Sequence, residues 1–437
     1  MSEPAARRTW GEALAVYRDK RFVIIALMGF SSGLPLLLTI TTLTYWLATL
    51  GVDKTSIGLF ALAGLPYSLK FLWSPAVDHV RIPAVTSLLG QRRSWAILAQ
   101  IGLIGSILYV GHTDPTVTPL LTAVGVLFIA FFSATQDIAI DAYRIEVLKE
   151  DEQGAGAAST QFGYRVGTLV AGGGALALSD YVAWSTIFEV MAALVLVGTA
   201  TVLLSPEPAA KPQKTERTTE EWLRDIVVEP FRDFMQRHGW AVILLFALLY
   251  KYGDAIGGVM ANPFYKDLGF SGVEIGSVTK VFGLIASLFG VFVGGVIVAR
   301  YGIFKALIVG GALQASTNLL FAALAVVGQD ISMLAVAIGA DNFTGGLGTA
   351  AFVAYLSSLC NPAFTGTQYA LLTSLMAFGR TAMSSGGGWL ADQMDWASFF
   401  VATTLLAVPG MLLLFWLIRI NRRSERRSGV TLEEEAP

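Results

Sequence analysis

The chain has 437 residues, 54% of them hydrophobic and only 14% charged, with a mean hydropathy of +0.62, which excludes an ordinary soluble globular protein of this size. A net charge of -2 gives no electrostatic footprint for nucleic acid, and a single cysteine, Cys360, excludes an intrachain disulfide.

The first residues, 1–21, are polar and carry Arg7, Arg8, Arg18, Lys20 and Arg21. They run into a long apolar span with no small-residue cleavage site, so a cleaved signal peptide is not expected. A membrane-crossing helix needs about 20 mostly apolar residues. Twelve stretches qualify, near residues 22–50, 55–77, 94–110, 117–148, 155–178, 182–204, 240–266, 274–299, 304–327, 331–359, 365–390 and 396–418. The pattern predicts an all-α membrane protein with twelve transmembrane helices. Pro35, Pro66, Pro263 and Pro409 fall inside these stretches and are expected to kink them, because proline removes a backbone donor.

Between the sixth and seventh spans lies a linker, 205–239. Pro206 to Thr219 reads as flexible. Glu220 to Met235 sets Trp222, Ile226, Phe231 and Phe234 among charges, as either a surface-lying helix or a solvated linker. The domains expected are therefore an amino-terminal segment 1–21, a six-helix bundle 22–204, the linker 205–239, a second bundle 240–418 and a tail 419–437. Basic residues cluster at the amino terminus, around Arg81, Arg92 and Arg93, in the linker, at Arg300 and Lys305, and in the tail. The opposite loops hold little beyond Lys54 and Lys266, so both termini are expected in the cytoplasm.

The two bundles repeat one layout about 212 to 221 residues apart. Leu50-Gly51-Val52 with Ile57-Gly58 returns as Leu268-Gly269-Phe270 with Ile275-Gly276. Gly163-Tyr164-Arg165, the glycines 172–174, Asp180 and Trp184 return as Phe378-Gly379-Arg380, the glycines 386–388, Asp392 and Trp396. Tandem bundles that bind cargo near the midplane are the layout of many secondary carriers. The glycine triplets and Gly345-Gly346 read first as close-packing sites and second as bending points.

Ten charged residues fall in the interiors of the spans, away from their ends: Lys70, Asp137, Asp141, Arg165, Glu189, Lys251, Asp254, Lys280, Asp341 and Arg380. Each costs about 2.5–3.5 kcal/mol at a helix centre on insertion scales, so each asks for a role. Asp137 and Asp141 are four apart and share one helix face, with Arg144 a turn on, which suits a carboxylate that loads and releases a proton. The competing reading is a fixed ion pair with Arg165 or Lys70, and Asp254 beside Lys251 is a second proton candidate. Cargo contacts are expected from Gln136, Gln161, Asn262 and Asn342, from Tyr67, Tyr250 and Tyr252, and from the cations Arg165, Lys70, Lys251, Lys280 and Arg380 with Asp254. Interhelical hydrogen bonding is the alternative for the amides and tyrosines.

Ser74-Pro75-Ala76-Val77-Asp78-His79, closed by Gly90-Gln91-Arg92-Arg93, and its counterpart running from Gly295 to Arg300-Tyr301-Gly302, resemble the GxxxDRxGRR signature of the major facilitator superfamily. Ser74 replaces the first glycine, His79 the arginine, and an insertion separates the acid from the Arg pair. The resemblance implies gating by Asp78, Arg92, Arg93 and Arg300; simple topology marking is the alternative. It also implies that spans three, six, nine and twelve form an outer support, with Glu189 on span six out of pattern.

Ser31-Ser32-Gly33-Leu34-Pro35, Lys70-Phe71-Leu72-Trp73-Ser74-Pro75, Ser133-Ala134-Thr135-Gln136-Asp137-Ile138, Leu249-Tyr250-Lys251-Tyr252-Gly253-Asp254 and Gly345-Gly346-Leu347-Gly348-Thr349 are similar to the AmpG muropeptide permeases. That family implies proton-driven import of anhydro-muropeptides (GlcNAc-1,6-anhydro-MurNAc and its peptides) across the bacterial inner membrane, with roles in wall recycling and β-lactamase induction. An acetyl-CoA or other anionic-metabolite carrier, or a drug/proton antiporter, on the same fold is the alternative. No HExxH and no P-loop occurs, and the three histidines lie outside the spans, so neither an enzyme nor an ATP-driven pump is expected. No cofactor or metal is expected beyond protons as coupling ion; the partners are a small-molecule cargo and the lipid bilayer, with a monomer as the working form.

Overall fold

The computed structural model describes residues 9–52, 60–209, 227–384 and 386–427. Lys54, Trp222 and Ile226, and the side chain of Lys280, lie outside that description. Among the described residues every regular element is helical. Eight helical runs among the described residues are long and apolar enough to cross a membrane: Lys20–Thr49, Gln91–Gly111, Pro119–Val147, Trp184–Leu204, Trp240–Asp267, Glu274–Tyr301, Ile303–Val327 and Trp396–Asn421. They coincide with the first, third, fourth, sixth, seventh, eighth, ninth and twelfth expected spans. Ile331–Ser358 and Pro362–Asp392, the tenth and eleventh, meet the same test as a pair bent by 99°.

The second and fifth spans are helical but interrupted. The second consists of short pieces, Ala61–Gly64, Leu65–Leu69, Lys70–Leu72 and Ser74–His79. The fifth runs Gln153–Leu169, widens through a π-turn at Val170–Gly174 and resumes as Ala175–Leu178. Its composition, rich in Gly, Ala, Ser and Thr, is too weakly apolar to read as a lipid-facing helix and suits a helix packed among others. Other spans are also broken or widened. The first stops at Leu38 and restarts at Thr41, just beyond Pro35. The seventh breaks between Leu249 and Tyr252. The eighth carries a π-turn at Ser277–Phe282.

The chain gathers into two compact units whose borders depart from the sequence halves at two places. One unit holds Tyr17–Phe231 together with Leu356–Ser374; the other holds the described residues up to Val16, Arg232–Tyr355 and the residues from Leu375 on. In the first unit, span five lies against span one along a seam of glycines. A Cβ on Gly29 or Gly33 would overlap the Thr160 or Tyr164 backbone, and one on Gly163 or Gly167 would overlap that of Ala26 or Phe30. Around this seam Trp46, Phe188, Leu103, Val126 and Met191 form the apolar core. The other unit closes on an aromatic cluster in which Phe264 and Phe400 lie 4.7 Å apart and Trp396 packs 5.3 Å from Phe264.

Candidate functional site

In the unit built on the first half, Asp137 and Asp141 share a face of span four as expected. Lys70 sits on the turn Lys70–Leu72 of span two, 7% exposed, and its charge acts on both acids. The direct ion pair at Asp141 forms with Arg144 of its own helix, at 3.7 Å. Tyr67 Oη, Ser133 Oγ and Asp137 Oδ1 are buried with no partner in good hydrogen-bond geometry, Ser133 and Thr39 lying beside Tyr67 and Ser32 beside Asp137. Buried polar atoms are normally well satisfied, so three weakly engaged ones on two neighbouring spans mark a place where something other than the fold sets the requirement. Arg165 is exposed and Gln161 half-buried.

Gln136, beside Asp137, is fully buried and its amide is already engaged. Ser31 Oγ donates to Gln136 Oε1 at 2.9 Å, and Gln136 Nε2 donates to the Ser31 carbonyl at 3.0 Å. The residue ties span four to span one here, where the sequence suggested a cargo contact.

The other unit holds a second charge group. Lys251 stands at the break in span seven, where its Nζ donates to Thr349 Oγ1 at 2.6 Å and to the Gly345 carbonyl at 3.4 Å. Asp254 lies in the first turn of Tyr252–Asp267, a position that favours a negative charge, and feels Lys251, Asp341 and Arg380. Asp341 accepts from Thr317 Oγ1 at 3.2 Å, and Asn318 Nδ2 is buried without a partner. Arg380 is exposed. Two expected cargo contacts serve packing in this arrangement: Tyr250 donates to the Leu307 carbonyl at 2.9 Å with its ring stacked 5.1 Å from Phe352, and Asn342 Nδ2 donates to Ile338 O on its own helix. Each unit thus carries its own mixed set of acids and bases.

The signature residues form a network inside the first unit. Arg92, 3% exposed, pairs with Asp78 at 2.6 Å and with Glu146 at 2.7 Å. Asp78 also accepts the N–H groups of Gly366 at 3.1 Å and Thr367 at 2.7 Å and the Thr367 hydroxyl at 2.6 Å, so its charge sits at the amino end of the helix Thr365–Ser384. Arg93, grouped with Asp78 in the sequence reading, is placed elsewhere. Its guanidinium donates to the Val202 and Leu203 carbonyls, at 2.9 and 2.6 Å, capping the end of span six. Arg300 stacks on Trp10 at 4.7 Å and on Tyr301 at 5.2 Å.

Glu207, just past span six, accepts the Arg92 and Arg93 N–H groups at 2.7 and 3.2 Å and caps the start of span three. Gly90 makes room for it: φ is +87°, and a Cβ there would overlap the Glu207 carboxylate. Burial pushes the Glu207 carboxyl up against the opposing pull of these two donors. At Glu152 burial pushes the same way, but the Arg21 guanidinium, 2.8 Å away, and the Lys149 N–H outweigh it and hold the carboxyl low. A cavity of about 380 Å³ is lined by Asp78, Arg81, Arg92, Glu146 and Glu207.

Glu189, out of pattern on span six, is about half exposed and pairs with His112 at 3.3 Å, where span three ends. It therefore belongs to the end of the span and not to its interior. Sequence reasoning missed Glu146, Glu207 and the buried polar side chains Gln314, Thr317 and Asn318 of span nine. Glu207 had a signal in its place between Pro206 and Pro208, directly after a span; Glu146 had one in its place a turn or two beyond the paired acids.

The chain is similar to the anhydromuropeptide permease of Escherichia coli (strain K12), 38% identical over 403 residues, which cover 92% of this chain and 80% of that permease. It is 37% identical over 407 residues to the putative transporter AmpG 4 of Rickettsia felis, covering 92% of this chain and 97% of that protein. The Major Facilitator Superfamily model matches residues 244–436, and the acetyl-coenzyme A transporter 1 model matches residues 21–191. Among solved structures, the E. coli fucose:proton symporter FucP aligns with TM-score 0.69 at 12% identity, over 91% of this chain and 98% of that one. The proton:xylose symporter XylE aligns with TM-score 0.64 at 12% identity, over 93% and 95%.

Proposed function

This chain belongs to the AmpG-type permeases of the major facilitator superfamily, a family of multi-pass membrane transporters, and from that premise we propose that it imports anhydromuropeptides across a bacterial inner membrane in symport with protons. The observation that carries the coupling is Asp137. Its Oδ1 is buried without a partner in good hydrogen-bond geometry, beside Ser32 and in the field of Lys70 and Asp141. Beyond the Ser32 hydroxyl, no strong donor among the described residues holds this acid ionised, so its charge answers to cargo and protons. Within the first unit Lys70 and Arg165 supply cations for cargo carboxylates, with Tyr67 and Gln161 toward its sugars; within the other, Lys251 and Arg380 supply cations. Asp78, Arg92 and Glu146 hold the start of span eleven and serve the gate. Both termini lie in the cytoplasm, the protein works as a monomer, and protons are the only cofactor.

A second reading, carriage of acetyl-CoA, is favoured by the family model that matches the first half. Both cargos are anionic, so charge does not separate them. Uptake of labelled anhydromuropeptide by cells making the protein, competed with excess acetyl-CoA or with unlabelled muropeptide, does. Self-competition alone is the expected result; competition by acetyl-CoA, or no uptake, contradicts muropeptide import.

A further inference from the structure

Arg144 is among the largest fully buried side chains, its side chain 1% exposed, and its Nε, Nη1 and Nη2 all lack a hydrogen-bond partner. Two things stand against its guanidinium. Asp141, one turn back, lies 3.7 Å away, beyond hydrogen-bond reach but close enough to neutralise the charge. The ring of Tyr369 covers it, with the guanidinium carbon 5.3 Å from the ring centroid. Tyr369 is 4% exposed and sits one turn into Thr365–Ser384, the helix whose amino end is held by Asp78. Arg144 therefore touches both an acid of the proposed proton site and the segment that the signature network clamps.

Burying a cation without acceptors is tolerable only while a counter-charge stays in place; losing one partner of a buried pair typically costs about 3–5 kcal/mol. The other charged or titratable groups that face this pair are Lys70 on span two, Asp137 on span four, Tyr164 on span five and Tyr369 itself, with Arg165 acting on Tyr164 and the Cys360 thiol on Tyr369. Asp141 is the one carboxylate in direct ion-pair contact with Arg144 among the described residues.

We propose that Arg144 is the positioning residue that transmits the charge of Asp141 to the segment Leu356–Ser374: while Asp141 is ionised, the guanidinium stays buried under Tyr369, and when Asp141 takes up a proton the cation, left without counter-charge or acceptors, swings out to water, leaves the Tyr369 ring and frees the start of span eleven. The proposal rests on the proton-coupled reading above but needs no cargo to test. The proton bound by Asp141 comes from solution and returns to it, and no other bond changes.

The test is a distance measurement between spin labels at Leu88→Cys and Ala363→Cys, in a Cys360→Ser background, on purified cargo-free protein in nanodiscs. Both label sites are exposed and belong to the same unit. In the otherwise unaltered protein the separation should lengthen as pH falls. Asp141→Asn should show the long distance at every pH, Arg144→Gln the short one at every pH, and Arg144→Lys should restore the pH response. A pH response that persists in Arg144→Gln, a short distance in Asp141→Asn at neutral pH, or no response in the parent overturns the proposal. If the response follows this pattern but anhydromuropeptide is not transported, the cargo reading fails and the coupling stands.

Discussion

Gln136 gives Ser31 the hydrogen bond that Pro35 withholds. A helical carbonyl normally accepts from the N–H four residues on, and proline has none, so the Ser31 carbonyl would be orphaned inside span one. Gln136 Nε2 reaches it at 3.0 Å from span four, and Ser31 Oγ returns a bond at 2.9 Å.

Removing that side chain should destabilise before it affects cargo. Gln136→Ala leaves buried polar groups unpaired and should cost about 1–3 kcal/mol. In a Pro35→Ala background the carbonyl regains an intrahelical donor, so the same truncation should cost less. Thermal unfolding of the four proteins of this cycle checks it; an unchanged midpoint in Gln136→Ala with a raised KM for uptake would instead make Gln136 a cargo contact.

The pair of Asp78 with Arg92 should matter on two counts. Asp78→Ala strips a charge from the amino end of Thr365–Ser384 and leaves Arg92, 3% exposed, with Glu146 as its remaining ion-pair partner. Breaking a buried pair from one side costs about 3–5 kcal/mol, so both the unfolding midpoint and the uptake rate should fall. A variant that keeps wild-type rate and midpoint would remove the network from the account.

Glu207 predicts a pH slope. Its carboxyl lies above the ordinary value of 4.5 because burial disfavours the charged form. A group raised on folding contributes stability below its unfolded value and loses it as pH climbs through the folded one. The midpoint should thus decline from about pH 4.5 upward, and Glu207→Gln should flatten that decline. Parallel midpoint curves for wild type and Glu207→Gln would contradict the assignment.

The fold was legible because a bilayer demands long apolar helices, and the repeat doubled every signal. The second and fifth spans were the least regular for the same physical reason that makes them useful: polar and small residues there pack against other helices and not lipid, so Lys70 and the span-five glycines dilute the apolar pattern. Asp137, Asp141 and Lys70 were legible from the cost of placing charge in a membrane. Arg93 was not, because its partners are the carbonyls of Val202 and Leu203, and a backbone acceptor leaves no trace in sequence. Tyr250 and Asn342 carry the same chemistry whether they meet cargo or a neighbouring helix, and only the packing around Leu307 and Ile338 separates the two.

Coupling of cargo to protons through span four is tested most directly by accumulation of labelled anhydromuropeptide in right-side-out vesicles under an imposed acid-outside gradient. The wild-type protein should concentrate it, lose it when the gradient is dissipated, and fail to concentrate it once Asp137→Asn or Asp141→Asn is introduced. Concentration that ignores the gradient, or full gradient-driven uptake by both variants, would contradict the account.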